Sequence, residues 1–98
     1  GLSRSYGNQA LILVDKGQLD EAMILYQKEE AICEALGDRA GLGSTYWNQG
    51  ILLGKLDNDR EQKKLWVESI AIKQAIGIPS EKYEKALAAL VERLKEGE

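Results

Sequence analysis

The side chains best suited to chemistry in this chain are Cys33, the acid pairs Glu29-Glu30 and Asp57/Asp59, and the amides of Asn8 and Asn48. A thiol nucleophile needs a base to take its proton, and the chain has no histidine. The same absence removes the commonest imidazole ligand for a metal. Glu29 and Glu30 are adjacent, so their side chains diverge on a helix, and Asp57 and Asp59 fall in a turn; both pairs read as solvated charge. No glycine-rich loop has phosphate-binding spacing, since the glycines fall at helix ends and helix contacts. These residues predict no enzyme, no cofactor and no metal site. Cys33 reads as a small buried hydrophobe. The amides remain. Each carries two donors and an acceptor, which suits recognition rather than reaction.

Composition narrows the setting. A net charge of −3 without a basic stripe argues against a nucleic-acid partner, because phosphate binding needs a concentrated basic face. No apolar run approaches the roughly 20 residues that span a bilayer, so no membrane partner is expected. A single cysteine cannot form an internal disulfide and fits a reducing compartment, which makes the cytoplasm the expected location. The chain starts at Gly1 without an initiator Met, and is expected to be a segment of a longer protein. Its single proline, Pro79, leaves nearly all of it free to be helical. Ala, Leu, Glu and Lys abound while Val, Thr and Phe are scarce, which disfavours strands.

Sliding the sequence on itself by 40 residues lays 1–38 on 41–78 with 12 identical pairs. They include Tyr6/Tyr46, Asn8/Asn48, Gln9/Gln49, Leu13/Leu53, Leu25/Leu65, Ile32/Ile72 and Gly37/Gly77, with near matches such as Ala10/Gly50 and Tyr26/Trp66. Within each unit the apolar residues recur at i, i+3 and i+4. Leu2, Tyr6, Gln9, Ala10 and Leu13 form one such stripe, and Leu42, Tyr46, Gln49, Gly50 and Leu53 the other. Gly37 and Gly77 suit left-handed helix ends, Asn58 with Glu61 reads as a cap and its acidic third residue, and Ser80 after Pro79 reads as the start of a last helix. The pattern predicts an all-α fold of five antiparallel helices, about 2–16, 19–36, 40–55, 59–76 and 80–95. It divides into a first unit, 1–38, a second unit, 39–78, and a terminal helix, 79–98, that caps the stack or is a worn third repeat. One helical pair cannot bury its apolar face alone, so the pairs must stack.

Tyr6-Gly7-Asn8-Gln9-Ala10-Leu11, followed by Gly17-Gln18-Leu19-Asp20-Glu21-Ala22 and Tyr26, resembles the tetratricopeptide repeat. The small residue of its first helix falls on Ala10 and Gly50, the turn glycine on Gly17, the second-helix alanine on Ala22, and the bulky aromatic on Tyr26 and Trp66. The usual period is about 34 residues. The longer one here is similar to variants in kinesin light chains, G-protein signalling modulators and bacterial multi-repeat regulators. Asp57 and Gln62 depart from the motif's glycine and alanine, and Glu29 from a small residue. The resemblance implies a right-handed α-α superhelix, a solenoid whose first helices line a concave groove that holds a peptide or helix of a partner protein.

On that resemblance the groove positions are Arg4, Gly7, Asn8, Leu11 and Asp15, then Ser44, Trp47, Asn48, Ile51 and Lys55. Asn8 and Asn48 either pin an extended peptide backbone or bridge to a neighbouring helix. Trp47 follows Tyr46, so the two face apart; Trp47 is either a groove anchor or packs on the fifth helix. Some family members grip a peptide carboxylate with basic residues and asparagines. Asn48 matches the middle asparagine of that clamp, but Gly7, Glu84 and Ala88 stand at other positions of it, so a carboxylate clamp is not expected. Arg4 and Arg39 either pair with an acidic ligand or, as surface arginines more often do, stay solvated. The alternative to a binding module is a purely structural spacer, a self-association segment or the repeat arm of a regulatory ATPase, with homodimerisation of the isolated segment through its apolar end.

Overall fold

A computed structural model describes residues 2–96, with side chains placed for residues 6–95. The chain forms α1 (Leu2–Asp15), α2 (Leu19–Leu36), α3 (Arg39–Lys55), α4 (Asp59–Ala75) and α5 (Glu81–Glu96), with no strand among the described residues. The fold is all-helical and repeat-like. The expected spans hold to within a residue or so at each end.

A turn recurring every twenty residues sets this order. Gly17, Gly37, Asp57 and Gly77 all have positive φ, at 80°, 68°, 62° and 81°. After each, the next residue donates its N–H back across the helix end: Gln18 to Leu13 O, Asp38 to Cys33 O, Asn58 to Leu53 O and Ile78 to Lys73 O, each at 2.8 Å. These bonds satisfy carbonyls that a helix end leaves bare. Asp57 therefore keeps the turn that its glycine counterpart makes, because aspartate tolerates the left-handed region better than most residues.

The helix starts are also supplied by sequence. Asp38 Oδ1 accepts the Gly41 N–H at 2.9 Å, and Asn58 Oδ1 accepts that of Glu61 at 3.4 Å. Ser80 stands at the expected start of α5, but its hydroxyl faces back to α4, accepting from Gln74 Nε2 at 3.5 Å.

Each helix packs on its neighbours in sequence, and α1 also touches α3 slightly. Ala10, Ala22, Tyr26 and Leu52 form the core where the first pair meets the second, with Leu13, Val14, Leu19, Met23 and Leu25 around it. Burying Tyr26 and Leu52 stabilises this junction by about 2 kcal/mol each. Polar donors tie the helices together from within. Thr45 Oγ1 donates to Tyr26 O at 3.1 Å, Ser69 Oγ to Gly43 O at 2.6 Å, and Gln49 Nε2 to Glu30 Oε1 at 2.9 Å.

Gln9 departs from the expected stripe. Its counterpart Gln49 is buried because α2 supplies Tyr26 and Glu30 as partners, whereas Gln9 is exposed. No described helix lies on that side of α1.

Candidate functional site

The first helices of the two pairs, α1 and α3, flank a cavity of about 470 Å³. Gly7, Asn8 and Leu11 line it from α1, Ala40, Gly41, Ser44 and Asn48 from α3, with Asp38 at the turn and Glu29 of α2 also at the wall. A smaller apolar dimple of about 40 Å³ adjoins it, lined by Leu11, Val14, Tyr26, Asn48, Ile51 and Leu52. A third hollow, about 170 Å³, is lined by Ser44, Trp47, Asn48, Lys73 and Tyr83. Asn48 borders all three. It is the hub of the surface.

Among the described residues, neither Asn8 nor Asn48 has a hydrogen-bond partner for its side chain, so neither bridges to a neighbouring helix. Asn8 is exposed and Asn48 half-buried, and both amides border the same cavity. Leu11 and Ile51 remain exposed beside them as large apolar surfaces.

The two units differ beside the cavity. In the second unit Trp47 stacks on Trp66, rings 4.0 Å apart and 9° from parallel. It also meets Tyr83 of α5 edge-on at 4.8 Å. The counterpart of Trp47 in the first unit is Gly7, which has no side chain to fill the equivalent space. A β-carbon there would stand 2.5 Å from Glu29 Oε2.

Glu29 is a site residue that sequence reading treated as solvated. It is only 7% exposed, and its Oε2 has neither solvent contact nor a hydrogen-bond partner. Burial pushes its carboxyl above the usual carboxylate range, and the charge of Asp38 adds to the shift. The sequence does hold a signal for it. Glu29 and Gly7 both depart from their counterparts Ser69 and Trp47 in the self-alignment. In the second unit Ser69 is satisfied by the Gly43 carbonyl. In the first, the longer acid is left with an unmatched oxygen.

The other expected positions distribute unevenly. Trp47 borders the third hollow but also carries the packing of α5, so the two alternatives stated for it coincide in one side chain. Lys55 is exposed in the last turn of α3, where its charge complements the helix end, and it borders none of these hollows. The Arg4 side chain lies outside the described residues. Arg39 is exposed, and the described residues lining the 470 Å³ cavity include the two acids Glu29 and Asp38.

The third hollow has the opposite character. Lys73 is 4% exposed, with Nζ 4.6 Å from the centre of the Tyr83 ring. A larger open depression of about 750 Å³ lies apart from these, between α4 and α5, lined by Asp59, Arg60, Lys63, Val91, Arg93, Leu94 and Lys95. It is larger, but none of the described residues lining it is a buried polar group. Its Asp59–Arg93 ion pair, at 3.2 Å, is a solvated contact of little energetic weight.

Cys33 is buried, as its reading as a small hydrophobe requires. Among the described residues no group of three or more potential ligands could hold a metal ion. No helix is long and apolar enough to cross a membrane among the described residues. Compared with protein-family models, with curated proteins and with solved structures, the chain gives no match.

Proposed function

We propose that this chain is a tetratricopeptide-type binding module, two helical pairs and a closing helix of a right-handed superhelix, that holds an extended peptide of a partner protein. The peptide runs along α1 and α3 and is gripped through its backbone by Asn8 and Asn48. One observation carries the reading: two asparagine amides forty residues apart border one cavity, and neither is hydrogen-bonded among the described residues. An amide pair of this kind recognises backbone donors and acceptors whatever the peptide's side chains. The exposed Leu11 and Ile51 add apolar contact beside it.

A structural role is favoured by a different observation. Ile24 and Leu36 are 53% and 74% exposed on α2, as apolar surface suited to a further repeat or a second copy. The two roles use different surfaces and are separable.

The test is to select peptides on the chain from a random display library and measure their affinity by calorimetry. Asn48→Ala is expected to weaken binding about tenfold or more, the effect of losing one well-placed hydrogen-bonding group. Undiminished affinity in Asn48→Ala and in Asn8→Ala would remove the groove from the account.

A further inference from the structure

Glu29 is the feature of the groove that backbone recognition leaves unexplained. A carboxylate shut away from water is costly unless a donor or an opposite charge meets it. Glu29 Oε2 meets neither, yet the residue borders the cavity that Asn8 and Asn48 flank. Gly7 lets that oxygen lie against the α1 backbone at the edge of the cavity, since a β-carbon at this position would stand 2.5 Å from it. Asp38 adds a second acid, and among the described residues no lysine or arginine lines the cavity. Asn8, Ser44 and Asn48 contribute oxygen acceptors around the same space.

Resting on the groove reading above, we infer that the cavity between α1 and α3 takes the cationic side chain of a lysine or arginine in the bound peptide, paired with Glu29 and Asp38. The charge of the ligand offsets the desolvation of Glu29, and the terminal torsion of a glutamate is soft enough to turn Oε2 toward an incoming donor. Specificity then divides by position. The amides hold the backbone, and the acids select the side chain. Norleucine keeps the four-carbon stem of lysine without its ammonium group, and would leave Glu29 unpaired.

Nitrogen-15 NMR titrations test this with five-residue peptides, acetylated and amidated at their ends, of sequence Ala-Ala-X-Ala-Ala with X lysine, arginine or norleucine. The lysine or arginine peptide is expected to shift the backbone amides of Gly7 and Gly41 and the side-chain amides of Asn8 and Asn48. It is expected to bind at least tenfold more tightly than the norleucine peptide. Glu29→Gln should abolish that preference while the spectrum stays that of a folded chain. Gly7→Ala, which crowds the carboxylate from the other side, should weaken it. Asp59→Asn, altering an acid outside the cavity, should leave it unchanged.

Equal binding of the norleucine peptide overturns the inference, as does a preference that survives in Glu29→Gln. Binding of n-butylammonium alone as tightly as the lysine peptide overturns the assignment to a peptide side chain. Library-selected peptides that depend on Asn48 but contain no basic residue would overturn the cation pairing and leave the groove standing. Failure of every peptide to bind would remove both.

Discussion

Trp66 donates its indole N–H to the Trp47 carbonyl at 3.1 Å while the two rings stack face to face, so one residue pair fixes both the backbone and a side chain of α3 against α4. This close approach depends on Gly50, one turn further along α3. A β-carbon there would overlap Cδ1 and Nε1 of Trp66 and press on the Gln62 carbonyl. Gly50→Ala should therefore destabilise the fold by about 1–3 kcal/mol, the usual range for overpacking. This outweighs the gain of about 1 kcal/mol that alanine brings to a helix interior. Urea unfolding measures the difference; a more stable variant would show that the stack is not tight.

Trp47→Ala should cost about 3–5 kcal/mol, because it removes a large half-buried ring from between α4 and α5. Near-ultraviolet dichroism should lose the signal of the stacked pair. Any loss of peptide binding in this variant would be inseparable from loss of packing, so Asn8 and Asn48, not Trp47, are the informative groove substitutions.

Asp57 is the one non-glycine residue with positive φ among the described residues. Replacing it with glycine should stabilise the chain by up to about 1 kcal/mol, since the left-handed conformation costs other residues roughly 1–2 kcal/mol. Gly17→Ala should lose about as much at the equivalent turn. Thermal unfolding of the two variants should move in opposite directions.

Glu29 gives a pH dependence with a defined sign. Its carboxyl is raised by burial and by Asp38, so the folded chain keeps that proton to a higher pH than the unfolded chain does. Between the ordinary carboxylate value and the raised one, folded molecules bind more protons. Stability from this group is therefore fully present at low pH and falls as pH rises through that window. Glu29→Gln lacks this loss. Urea unfolding across the acidic range should show the variant gaining on the parent as pH rises, and staying more stable at neutral pH. A parent that gained on Glu29→Gln with rising pH would mean that the carboxylate has a partner in the folded chain. A residue that destabilises the fold yet borders a cavity fits a place kept for binding rather than for folding.

How much of this could be read beforehand differs by level. The helices were legible because the 40-residue self-match and the i, i+3, i+4 stripes are local patterns, and the end of every turn carries its own residue. The Asp57 turn was less so, since aspartate can be either a left-handed turn residue or simple surface charge. Asn8, Leu11 and Asn48 were legible as groove candidates through the repeat register, and the cavity brings all three together. Glu29 was not. Its burial depends on Gly7 from another helix, 22 positions away in sequence. Neighbouring acids on a helix ordinarily face water, and only the absence of a side chain opposite reverses that. Trp47 shows the same limit: its spacing told that it faces away from Tyr46, but not that Trp66 and Tyr83 would enclose it.

The most direct test of the central claim is a nitrogen-15 NMR titration with a library-selected peptide, following the side-chain amides of Asn8 and Asn48. Both are expected to shift together and saturate at one peptide equivalent, with neighbouring changes at Gly7, Gly41 and Ser44. Shifts confined to the α2 surface around Ile24 and Leu36, with the two asparagines unmoved, would contradict it.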